Sequence, residues 1–132
     1  IETCFGQKGF ELIKNKEIIC TGTIIGGANE YLKFLEAILQ MKEWKTCKGD
    51  SLDQAIVNYV VYSGLLQNNS IKYRIDSCSG DILTMSKCMS NKHLNLTKNG
   101  LLAGLSKKPP AIIHQYNRYK QFHNHLESLC SS

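Results

Sequence analysis

The chain has no run approaching the ~20 apolar residues that a membrane-spanning helix needs, so no bilayer span is expected within it. It contains no C-x-x-C pair, which argues against a zinc ribbon or a thioredoxin-like site. It has no glycine-rich phosphate loop, no internal repeat, no heptad array and no low-complexity tract. It opens on Ile1 rather than Met, and no charged leader with an apolar run and a small-residue cleavage site follows. A processed chain or a fragment is the expectation. What is present is a 132-residue sequence, 42% hydrophobic and 20% charged, the composition of one soluble globular domain.

The formal charge of +5 is modest and spread along the chain. Only "SKKPP" is a tight basic cluster. A solubilising surface explains it better than a phosphate-binding patch, and no nucleic-acid partner is expected. Six cysteines, Cys4, Cys20, Cys47, Cys78, Cys88 and Cys130, allow fifteen pairings, and the sequence does not choose among them. Two sequons, Asn68-Asn69-Ser70 and Asn95-Leu96-Thr97, lean with the cysteines towards a secretory-pathway lumen or a secreted protein. Small buried thiols account for the cysteines equally simply.

The stretch Lys16–Gly27, "KEIICTGTIIGG", is β-branched and apolar and predicts a buried strand entering a glycine turn. An amphipathic helix follows in "ANEYLKFLEAILQMKEW", with Tyr31, Leu32, Leu35, Ile38 and Leu39 at helical spacing. In "SLDQAIVNYVVYSG", Ser51 and Gln54 have the form of a capping box, and Asp53 falls where the helix dipole favours an anion. Ile56, Val57, Val60, Val61 and Leu65 form its buried stripe, and Gly64 is the expected stop. "SIKYRID" alternates as a strand, "SCSGD" is a turn, and "ILTM" reads as a short returning strand. "SNKHLNLTKNG" reads as a polar loop, "PPAIIHQY" as an edge strand, and the tail from Tyr116 to Leu129 as a closing helix. Alternating strands and helices predict an α/β class, a mixed sheet flanked by helices within one unit spanning residues 1–132.

Three stretches, "CTGTIIG", "SLDQAIVNYVVYSG" and "AIIHQYNR", taken in that order, resemble the C-terminal, acceptor-side half of glycosyltransferases with the GT-A fold. The resemblance is to glycogenin-like and galactinol-synthase-like enzymes and their poorly characterised relatives, and it covers roughly Glu2 to Arg118. It implies a partial GT-A-like sheet within a larger domain and transfer of a sugar from a nucleotide-sugar to a hydroxyl of a carbohydrate or protein acceptor, in a Golgi-like lumen. It places Thr21, Gly22 and Thr23 along the sugar pocket, Asp53 and Gln54 at the donor sugar and reacting centre, and His114 on a divalent ion, usually manganese. A carboxylate beside a carboxamide can grip sugar hydroxyls, because one only accepts hydrogen bonds and the other also donates. Imidazole suits such a metal, which acts as a Lewis acid on the leaving diphosphate.

Without a ligand, the same residues read as a core strand ending in glycine, a capped helix start and a strand-end histidine. The chain also departs from the family. It has no Asp-x-Asp and no nucleotide-binding half, Val57 stands where some relatives have His, and Asn117 stands where many have Asp. Such a chain alone is not expected to hold metal and nucleotide in the family's full manner. The alternative expectation is a non-catalytic secreted or lumenal binding module stapled by disulfides. A thiol-protease arrangement of Cys20 or Cys47 with His114 has no local signature, and His93, His123 and His125 sit in polar segments.

Overall fold

The computed structural model describes residues 2–49, 52–76, 78, 80–88, 95–99, 102–103 and 108–130. The chain divides into two compact units, Ile1–Arg74 and Ile75–Ser132. Ser51, and with it the predicted capping box, lies outside the described residues.

The first unit is helical. Helix α1 spans Glu2–Ile13 and is broken at Gly6, whose φ of 65° interrupts the helical run. Helix α2 spans Ala28–Leu39, and the short α3 spans Lys42–Thr46. Helix α4 spans Leu52–Tyr62, and α5 spans Leu65–Asn68. Gly64 ends α4 as expected. Its φ of 84° is the left-handed conformation that glycine adopts without a Cβ clash, and its carbonyl then starts α5 by accepting from the Asn68 N–H at 3.0 Å.

The α4 stripe is buried at Ile56, Val57, Val60 and Val61, as the periodicity predicts, while Leu66 rather than Leu65 fills the layer beyond it. Phe5 stacks flat on Tyr59, with ring centroids 4.1 Å apart, and joins α1 to α4. Cys4 is bonded to Cys47, the residue that ends α3.

Of the face its spacing suggests, helix α2 buries only Ile38. Phe34, Ala37 and Ile38 are buried, whereas Tyr31, Leu32, Leu35 and Leu39 are exposed. Apolar residues cover most of this helix's circumference, so periodicity alone cannot choose the inner side. The buried set follows i, i+3, i+4 spacing, with small Ala37 at its centre.

The expected strand over residues 16–27 does not form, nor does the one in "SIKYRID". Residues 17–20 and 71–76 belong to no ladder, and Ile18, Ile24 and Ile25 face solvent. A strand requires a partner for its N–H and C=O groups. In the first segment a side chain supplies part of that need, since Asn58 pairs with both backbone groups of Ile19. The second segment is tied to α4 by its own Tyr73 hydroxyl, which donates to the Val61 carbonyl at 3.1 Å.

The second unit carries the sheet. Strand β1, Ile82–Thr84, is followed directly by helix α6, Met85–Cys88. Strand β2, Asn95–Leu96, lies within what reads in the sequence as a polar loop and pairs antiparallel with β3, Leu102–Ala103, just after it. Strand β4, Ile112–His114, pairs parallel with β1 in the register Ile82–Ile112, Leu83–Ile113, Thr84–His114. A 3-10 turn over Tyr116–Arg118 leads into the closing helix α7, Lys120–Cys130.

Leu83, Met85 and Phe122 form the core of this unit, with Ile113, Tyr119, Leu126 and Cys88 packed around them. The Asp76 carboxylate orders the turn into β1 by accepting from the N–H groups of Asp81 and Ile82 at 3.0 and 3.1 Å. Cys78 and Cys88 close a disulfide across the same turn. The architecture is therefore mixed: helices with short strands, one pair of them parallel, as an α/β class implies. Among the described residues no helix is long and apolar enough to cross a membrane.

Candidate functional site

The site begins with one polar residue in an apolar stripe. Asn58 is 1% exposed and lies between Val57 and Tyr59 on α4. A buried carboxamide must find partners for one acceptor and two donor positions. Asn58 Oδ1 accepts from the Ile19 N–H at 2.8 Å, and Nδ2 donates to the carbonyls of Ile19 at 2.9 Å and Gln54 at 2.7 Å. Its side chain thus pairs with both backbone groups of Ile19, as a neighbouring strand would.

Two further bonds fasten the same segment to α4. The Tyr62 hydroxyl donates to the Glu17 carbonyl at 2.6 Å, and the Thr21 hydroxyl donates to Asp53 Oδ2 at 2.8 Å. Glu17, Ile19 and Thr21 therefore meet Tyr62, Asn58 and Asp53 in reverse order, so the segment runs antiparallel to the helix. The spacing explains why. Two residues of extended chain advance about 6.6 Å, and four to five residues of helix advance about 6–7.5 Å. Every second residue of the segment meets the next turn of α4.

This geometry brings two of the sequence-identified groups together. Thr21 and Asp53, 32 residues apart, are in direct hydrogen-bond contact at the start of α4. Gln54, half-buried beside Asp53, is held through its backbone carbonyl by Asn58. Gly22 is exposed in the turn after Thr21, and Thr23 is half-buried. Asp53 is exposed in the first turn of the helix, so its carboxylate is open to solvent while one oxygen is engaged. The cluster presents a carboxylate, a carboxamide and a hydroxyl, groups that hydrogen-bond polyols.

His114 belongs to the second unit. It is half-buried, ends β4 opposite Thr84, and precedes Gln115, whose φ of 63° turns the chain out of the strand. Among the described residues no group of three or more His, Cys, Asp or Glu side chains converges as a metal site. His114 supplies one nitrogen donor, so a manganese ion there would need its other ligands from outside the described set.

Asn58 and Tyr62 are the residues that reading the sequence missed. The signal for Asn58 was present, since a lone amide inside a valine and isoleucine stripe has to be satisfied by something outside the helix. The Tyr62 hydroxyl carries no comparable pattern. Its pKa is raised above the ordinary tyrosine value, first by burial and then by its electrostatic interaction with Glu17 and Tyr73. The folded state therefore holds the phenolic proton more tightly than the unfolded chain does. That contribution to stability is fully present below the unfolded value of about 10 and is lost as pH rises through the higher folded value. Denaturation titrations between about pH 9 and 12 are expected to show this alkaline loss, and Tyr62→Phe to reduce it. An identical alkaline slope in the variant would remove Tyr62 from the account.

Comparison of the chain with protein-family models, with curated proteins and with solved structures returned no match.

Proposed function

We propose that this chain is the acceptor-side portion of a GT-A-type glycosyltransferase that moves a sugar from a nucleotide-sugar to a hydroxyl acceptor. The observation that carries the reading is the Thr21–Asp53 hydrogen bond. The resemblance assigns the "CTGTIIG" stretch and the Asp-Gln helix start to one sugar pocket, and these segments touch through the very residues it names.

In the proposed reaction the bond from the anomeric carbon to the diphosphate oxygen breaks, and the nucleoside diphosphate leaves with the electron pair. The acceptor hydroxyl forms the new bond to carbon and releases its proton. Asp53 accepts hydrogen bonds from donor-sugar hydroxyls, and Gln54 both accepts and donates. Thr21 holds the Asp53 carboxylate in orientation, and Gly22 lets the turn approach the ligand closely. The resemblance also assigns His114, in the second unit, to a divalent ion of the kind that would neutralise a leaving diphosphate. The nucleotide-binding half belongs, on this reading, to sequence upstream of Ile1.

A thermal-shift series tests this reading on the protein encoded by the complete reading frame, with manganese and a panel of nucleotide-sugars. One nucleotide-sugar is expected to stabilise it, by about 2.7 kcal/mol at a hundredfold excess over Kd. Asp53→Asn is the informative variant, because it retains an oxygen that can accept from Thr21 and loses only the charge. It should lose most of the stabilisation while unfolding at the same temperature without ligand. No shift with any donor, or equal shifts in both proteins, would overturn the proposal.

The second reading, a non-catalytic secreted or lumenal binding module, is favoured by the disulfides Cys4–Cys47 and Cys78–Cys88, which fit an oxidising compartment. It predicts no shift with manganese and nucleotide-sugars, and an intact mass after alkylation without reduction that leaves these four cysteines unlabelled.

A further inference from the structure

The turn after α5 carries the tripeptide Asn68-Asn69-Ser70, an Asn-X-Ser pattern in which X is not proline. All three residues are exposed. The two asparagines have different surroundings. Asn69 finishes the helix: its N–H and its side-chain Nδ2 both donate to the Leu65 carbonyl, at 3.2 and 2.8 Å. The Asn68 carboxamide takes part in none of the side-chain hydrogen bonds found among the described residues. Ser70 has a φ of 58°, and its N–H donates to the Gln67 carbonyl at 2.9 Å, so it closes a tight turn.

Buried residues anchor this turn on both sides, Leu66 at 2% exposure before it and Ile71 at 7% after it. A substituent on Asn68 would leave the core contacts of both untouched. The second observation is independent of the turn. Two disulfides, one in each unit, are compatible with an oxidising compartment, where asparagine-linked glycosylation also takes place.

We propose that Asn68 is an N-glycosylation site. In that reaction the amide nitrogen of Asn68 attacks the anomeric carbon of a lipid-linked oligosaccharide diphosphate. The carbon–nitrogen bond forms as the bond from carbon to phosphate oxygen breaks, the lipid diphosphate leaves with the electron pair, and one amide proton passes to base. No oxidant or reductant is needed. Asn69 is not an acceptor, because residue 71 is isoleucine and supplies no hydroxyl. The position is compatible with an open Asp53 end of α4. Asn68 follows the C-terminal end of that helix, whose 11 residues extend about 16 Å from its start. The same tripeptide pattern at Asn95 has a different setting, since its backbone pairs with Ala103 across β2 and β3 and its Thr97 is half-buried.

The test is expression of the chain through a eukaryotic secretory pathway, followed by enzymatic deglycosylation in heavy-oxygen water and peptide mass spectrometry. Asn68 is expected to return as aspartate carrying the heavy oxygen. Asn68→Gln and Ser70→Ala should each remove one glycan step from the intact mass, and Ser70→Thr and Asn69→Gln should retain it. Ser70 is exposed, so its alanine variant separates loss of the acceptor pattern from loss of folding. Unmodified Asn68 in secreted chains with both disulfides closed would overturn the proposal. So would a glycan confined to Asn95.

Discussion

Replacing Cys4 and Cys47 together by alanine is expected to lower the stability of the first unit by about 4 kcal/mol. The bridge ties α1 to the end of α3 across a sequence separation of 43, and a loop of that length gains much conformational freedom when it is cut in the unfolded chain. Cys78–Cys88, at a separation of 10, should contribute less, about 2.7 kcal/mol by the same relation. Chemical denaturation followed by far-ultraviolet circular dichroism of the chain's helices reads the change. Equal denaturation midpoints for the double variant and the parent would mean that the bridge does not constrain the unfolded chain as described. Cys47 is itself buried, so Cys4→Ala alone, measured under reducing conditions, separates the loss of packing from the loss of the bond.

The second large effect belongs to Asn58. Asn58→Ala is expected to cost about 3 kcal/mol, because three hydrogen bonds end at one side chain and their backbone partners are left without it. Asn58→Leu restores much of the volume and should recover little, since the Ile19 N–H and C=O would then face a hydrocarbon. Either variant releases the middle of the segment that runs along α4. Hydrogen exchange at the Ile19 amide should therefore quicken much more than exchange deep inside α4. Unchanged protection at Ile19, or full recovery of stability with leucine, would show that the segment is held by other contacts.

These effects explain which parts of the molecule could be read in advance. Helix α4 was legible because its stripe, its acidic first turn and Gly64 all agree on one element. The closing helix and the strands over Ile82–Thr84 and Ile112–His114 were legible for similar local reasons. Helix α2 was legible as a helix but not in its orientation, because apolar residues surround it and the choice of face lies in its neighbours. The segment from Lys16 to Gly27 was misread as a strand. Its β-branched residues do favour extended chain, and residues 17–20 fall outside every helix, but the partner is the side-chain face of a helix. Nothing within the segment encodes that partner. The signal is Asn58, nearly forty residues later.

The candidate site was legible to the same degree. Thr21, Asp53 and Gln54 could be named from their order in the chain, but only folding shows that Thr21 bonds Asp53 and that Asn58 fixes the Gln54 backbone. His114 was correctly expected at the end of an extended segment. The metal role that the resemblance implies for it requires further ligands, and this sequence does not contain them in Asp-x-Asp form.

The proposed sugar contact of Thr21, Asp53 and Gln54 is tested by a transfer assay on the protein from the complete reading frame, with radiolabelled nucleotide-sugars, manganese and a panel of hydroxyl acceptors. Transfer from at least one donor is expected, with a fall in kcat of about 10²-fold or more in Asp53→Asn and its thermal stability unchanged. Active enzyme whose kcat is indifferent to Asp53→Asn, or a complete reading frame that neither encodes an upstream Asp-x-Asp strand nor transfers sugar, would contradict it.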